Sequence, residues 1–242
     1  MQAGASVPRL RELLARPDLD EALMLGVLRR AVPVRFLELL AVTPPWMERP
    51  RLLGGVALNP RTPRVLALRL LPSLFWRDLA DVAMSPRLPK GVRGRAEAIL
   101  RDQLPDMRLG EKITLAKIAT TPVLARLLAE SEARIAQACL INPRLREEDL
   151  LTAVRQDVAT RALLEAAAAS SRWGGRYAVR LALVLQPRTP LGVALAQITS
   201  LLDRDLERVA ATDGLRPLVQ AASQRLLEAR ESRGRTPAGS GT

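Results

Sequence analysis

Histidine is absent from this 242-residue chain, and cysteine occurs once, at Cys139. That inventory excludes a zinc site, a Cys/His nucleophile pair and a Ser/His/Asp triad, and it leaves no intrachain disulfide. Aromatic residues make up only 2% of the chain, and the lysines are Lys90, Lys112 and Lys117 alone. No apolar run of about 18 residues is free of charge, so no membrane span is expected. The N-terminal text "MQAGASVPRLRELLARPDLDEALMLGVL" lacks the continuous apolar segment and cleavage site of a signal peptide, which leads us to expect a cytoplasmic protein. Neither GxxxxGK[ST] nor GxGxxG occurs. No catalytic residue, metal ligand or cofactor is assigned.

Leucine, alanine, arginine and proline fill the space instead. Hydrophobic residues reach 48%, ample for a core, and 37 Lys+Arg against 25 Asp+Glu give a net charge of +12. Such a balance raises nucleic acid or another polyanion as a partner, although an arginine-for-lysine bias also follows from GC-rich coding. Cys139 lies in the apolar run "AQACLINP" and reads as a buried, inert thiol.

The chain matches itself. "NPRTP" from Asn59 returns as "QPRTP" from Gln186, an offset of 127 residues that holds without a gap through Leu100 and Leu227. Shared positions include Ala67/Ala194, Leu74/Leu201, Arg77/Arg204, Asp78/Asp205, Leu79/Leu206 and Val82/Val209. The five-residue string reads as a helix stop followed by a helix start, with Thr62 and Thr189 as N-caps and Pro63 and Pro190 at the first helical position. Related strings follow Ser85, Thr120 and Asn142, and the segments between them carry one-face stripes such as Val92, Ala96, Ile99 and Leu100. Glu147-Glu148-Asp149 suits the first turn of a helix. The expected fold is all-α, an α-solenoid (superhelix) of short antiparallel helix pairs.

The stretches "ARIAQACLINPRLREEDLLTAV", "YAVRLALVLQPRTPLGVALAQI" and "LLGGVALNPRTPRVLALRLL" resemble bacterial HEAT-like helical repeats of the leucine-rich repeat variant type, over roughly residues 49–228. The resemblance implies binding and scaffolding and brings no catalytic residues. Some members of that family carry an iron–sulfur cluster on N-terminal cysteines, which this chain lacks. The expected layout is one repeat domain over 1–231, with capping helices at 1–45, repeats at 46–228 and a disordered tail at 232–242. Leu104–Gly110 reads as a break between halves or as a long inter-repeat turn.

Two clusters are candidate partner-binding sites. In "SSRWGGRYAVR", Arg172, Arg176 and Arg180 recur every four residues beside Trp173 and Tyr177, although Gly174 and Gly175 point to a turn before a helix starting near Arg176. The structural alternative packs Trp173 and Tyr177 between helices and leaves the arginines solvated. Arg87, Lys90, Arg93, Arg95 and Arg101 form a second basic cluster, for which the structural alternative is a solvated polar face, and Trp76, unrepeated at its counterpart Asp203, is a candidate anchor. Phe75-Trp76-Arg77-Asp78 also invites comparison with HEAT-like DNA glycosylases, which would require Trp76 and Asp78 to converge in a groove. The expected function is a non-enzymatic scaffold for a protein or peptide, and the alternative is binding of nucleic-acid phosphates through an arginine-rich face.

Overall fold

The computed structural model describes residues 7–16 and 18–234. Among them there are helices and turns but no strand. The chain divides between Arg108 and Leu109 into two compact units, a boundary inside the Leu104–Gly110 stretch for which the sequence left open a break or a long inter-repeat turn. The N-terminal unit holds α1 (Val7–Leu14), α2 (Glu21–Leu28), α3 (Val34–Leu40), α4 (Pro50–Leu58), α5 (Arg64–Leu70), α6 (Trp76–Met84) and α7 (Lys90–Gln103). The C-terminal unit holds α8 (Leu109–Ile118), α9 (Thr121–Leu127), α10 (Ala133–Leu140), α11 (Glu147–Arg155), α12 (Arg161–Ala169), α13 (Tyr177–Leu185), α14 (Leu191–Ile198), α15 (Asp203–Ala211) and α16 (Pro217–Gly234). Helix α16 thus carries Ser232–Gly234, where a tail was expected, and 235–242 lie outside the described residues.

Most of these helices are two to three turns long, too short to stand alone in water, so their stability comes from packing. Within each unit, helices pack on near neighbours and on the next helix but one. In the first unit α4 lies against α2, α5 and α6, and α7 against α5 and α6. In the second, α10 lies against α8, α9 and α12, and α13 against α11, α12, α14 and α15. The stripes read from sequence face inward: Val92, Ala96, Ile99 and Leu100 are all buried, and Val219 joins a cluster with Val184, Leu206 and Val209.

The 127-residue repeat is a repeat of helices. Starts at 50, 64, 76 and 90 in the first unit recur at 177, 191, 203 and 217 in the second. The conserved register explains the repeated five-residue string physically. Asn59, buried after the end of α4, donates from Nδ2 to the carbonyls of Leu28 (2.9 Å) and Arg30 (2.7 Å) at the end of α2, and its Oδ1 accepts from the Arg61 N–H (3.0 Å). Asn142 makes the same three bonds, to Ala116 (2.8 Å), Ala119 (3.1 Å) and the Arg144 N–H (2.8 Å). Gln186 repeats them with Val154 (2.6 Å), Gln156 (3.0 Å) and the Arg188 N–H (3.2 Å). A helix leaves its last carbonyls without partners, and here a buried amide from the helix two places on supplies the donors.

The threonines behave differently from the caps expected of them. Helices α5 and α14 begin at Arg64 and Leu191, with Pro63 and Pro190 in the cap position. The Thr62 hydroxyl turns back to the Val56 carbonyl (2.5 Å), and the buried Thr189 hydroxyl has no partner. Proline in the cap position holds the extended backbone that Thr62 was expected to supply, which frees the hydroxyl for the preceding helix.

Candidate functional site

The cluster singled out around Trp173 is assembled, but it is turned onto its own chain. Residues 171–175 form the turn between α12 and α13, and Gly174 is obligatory there: a Cβ would lie 2.2 Å from the Ala168 carbonyl oxygen. Trp173 is 2% exposed, and its indole N–H donates to the Leu140 carbonyl (2.8 Å). Arg172 donates to the carbonyls of Asn142 (2.9 Å) and Leu145 (3.2 Å) while lying 4.4 Å from the Trp173 ring centroid. Arg176 pairs with Glu147 and covers the same ring at 5.0 Å. Arg180 donates to the Gly174 carbonyl (2.9 Å). Tyr177 donates its hydroxyl proton to Asp205 and accepts from the Leu202 N–H (3.1 Å); burial and the Asp205 bond push its pKa up. Every one of the five has a structural partner.

The other candidates lie in the N-terminal unit. Trp76 is half-buried at the start of α6, with the Arg77 guanidinium 5.3 Å from its ring centroid. Lys90 is exposed at the start of α7, and half-buried Arg93 has an Nε that is buried without a partner. Cys139 is fully buried, and desolvation pushes its thiol up to about 12, which matches an inert thiol.

A groove that the sequence reading did not locate lies between α2, α4 and α6. It encloses about 690 Å³ and has an apolar floor of Leu25, Leu28 and Leu58. Arg29, Arg51, Arg77 and Arg87 line it together with Asp78 and Asp81, one helical turn apart on α6. No ion pair within 4.0 Å joins any of these six charges to another described residue. Burial raises the Asp78 pKa, Asp81 raises it further, and Arg51 and Arg77 act against both. Burial likewise raises Asp81, with Arg77 opposing. Arg51 and Arg77 thus act on the carboxylates without closing an ion pair, so both signs of charge line the same groove unpaired. Trp76 is not part of its lining, so Asp78 and Trp76 do not converge there.

Asp78 reaches its place because α4 carries glycine beneath it. A Cβ on Gly54 would sit 2.8 Å from the Asp78 Cγ, closer than side chains approach. The counterpart of Gly54 in the second unit is Leu181, and that of Gly55 is Ala182. The difference between the two copies at these positions was the signal in the sequence that could have located the groove.

Comparison with family models, with characterised proteins and with solved structures finds no match for the chain. The likeness to leucine-rich-repeat-variant proteins rests on the quoted residues alone.

Proposed function

We propose that the chain is a non-enzymatic helical-repeat scaffold, an α-solenoid of the HEAT-like type, that binds a segment of a protein partner. The observation that carries this reading is the mixture of charge in the α2–α4–α6 groove. A phosphate backbone drawn to Arg29, Arg51, Arg77 and Arg87 would meet the carboxylates of Asp78 and Asp81 in the same groove. A polypeptide carries both signs of charge and apolar side chains, and the groove offers a counterpart to each. The arginines around Trp173 add support, since they are engaged with backbone carbonyls and Glu147 rather than free for phosphates.

The second reading, sequence-independent nucleic-acid binding, draws on the four arginines of the groove and the net charge of +12. Selection of a random peptide-display library on the purified chain tests the first reading. Related peptides should emerge whose binding is abolished by Leu25→Asp, which places a charge on the apolar floor. A library that yields no peptide sensitive to Leu25→Asp would refute the scaffold reading at this groove.

A further inference from the structure

The two copies of the groove-forming repeat differ in what satisfies one carboxylate. In the C-terminal unit, Asp205 accepts a hydrogen bond from the Tyr177 hydroxyl and lies 3.7 Å from Arg204. Its counterpart 127 residues earlier is Asp78, and the counterpart of Tyr177 is Pro50, which has no hydroxyl and no N–H to give. The donor that the second unit builds into its own chain is missing from the first. Two further exchanges open the first site: Leu181 is replaced by Gly54, letting Asp78 settle against α4, and Arg208 by Asp81, adding a second carboxylate. The matching surface on α11, α13 and α15 is lined by Arg155, Leu181, Leu185 and Arg208 and presents no carboxylate.

Each exchange moves the first unit in the same direction, toward an accessible anionic pair in a half-dry groove. Asp78 is half-buried with no ion-pair partner within 4.0 Å, which is unfavourable, and a cationic donor from outside would relieve it while meeting exposed Asp81 one helical turn away. The four arginines that line the same groove disfavour a ligand that is only cationic, just as the carboxylates disfavour one that is only anionic.

We infer that the α2–α4–α6 groove recognises a peptide segment carrying a lysine or arginine, which enters between Asp78 and Asp81, followed or preceded by an acidic residue held by the arginines that line the same groove. This inference rests on the reading of the chain as a protein-segment binder. It makes Asp78 the specificity-determining residue and Gly54 its positioning residue.

The experiment uses the same random peptide library on three forms of the full chain: wild type, Asp78→Asn/Asp81→Asn, and Gly54→Ala. The asparagine pair removes charge at nearly constant shape, and the alanine displaces the Asp78 side chain while keeping the carboxylate. Thermal melts of each variant establish that it is folded. Wild type should enrich peptides with a basic residue near an acidic one. A leading wild-type peptide should bind Asp78→Asn/Asp81→Asn at least about tenfold more weakly, and Gly54→Ala should weaken it in the same direction. Arg208→Gln, on the corresponding surface of the other unit, should leave that affinity unchanged. Failure of wild type to select any peptide sensitive to Leu25→Asp overturns the underlying scaffold reading. Selection of such peptides without basic enrichment, or with affinity indifferent to Asp78→Asn/Asp81→Asn, overturns this inference alone.

Discussion

At the residue scale, three buried amides connect helices that are distant in sequence. The Asn142 side chain is fully buried and makes two donated bonds and one accepted bond. Truncation to alanine would leave the Ala116 and Ala119 carbonyls without those donors and open a small cavity. Asn142→Ala should therefore cost about 2–4 kcal/mol, read as a lower midpoint in urea with little change in slope. Asn142→Asp should be no better, because a carboxylate cannot donate to a carbonyl. Asp78 behaves in the opposite sense. Its folded-state pKa lies above its ordinary value because of burial first and Asp81 second. A raised carboxyl contributes stability that is present below the unfolded-state pKa and lost as pH rises through the folded-state value. At neutral pH Asp78→Asn should be at least as stable as wild type, and the advantage should vanish on acidification below about pH 4. Melting curves at both pH values check the sign. Loss of stability in Asp78→Asn at neutral pH would show that the carboxylate serves the fold.

At the scale of elements, the α12–α13 turn shows what could be read in advance and what could not. Two adjacent glycines before "RYAVR" gave a turn followed by a helix, and α13 begins at Tyr177 as that chemistry requires. The partners of the side chains were out of reach, because they lie far away in sequence: Leu140 for Trp173, Glu147 for Arg176 and Asp205 for Tyr177. The same limit applies to "NPRTP". Its helix-breaking role was legible from proline, but the role of Asn59 was not, since the Leu28 carbonyl lies 31 residues upstream. Local pattern reports propensity, whereas these bonds depend on which helices become neighbours. Gly174→Ala should cost upwards of about 2 kcal/mol, because the collision is with a backbone carbonyl that cannot rotate away. Tyr177→Phe should cost about 1 kcal/mol by removing one donated and one accepted hydrogen bond at a half-buried site. Urea titrations of the two variants should differ in that order, and an unaffected Gly174→Ala would contradict the geometry of this turn.

At the scale of the whole molecule, a run of four helices appears twice in one register, and the copies differ in which residues line the surface at the first copy's groove. Shared positions are largely those that pack or end helices, such as Leu79/Leu206 and Val82/Val209, all buried. Among the positions that differ are three at or beside the first copy's groove: Pro50 against Tyr177, Gly54 against Leu181 and Asp81 against Arg208. The sequence supplied the helical class and the 127-residue repeat, because hydrophobic spacing and proline punctuation are local signals. It did not locate the groove, because Arg29, Arg51 and Asp81 meet only when α2, α4 and α6 pack side by side. The charge of +12 weighs toward polyanions when counted along the chain and less so once the positions of the carboxylates are known.

The central claim is that the surface serves a protein segment and not a phosphate backbone. Its most direct test is a binding titration of the purified chain against random-sequence duplex DNA, single-stranded DNA and RNA across a salt series. The account predicts affinity no tighter than about 100 μM near physiological salt. Micromolar or tighter binding that falls steeply as salt rises, and that Arg51→Gln with Arg77→Gln weakens, would contradict it.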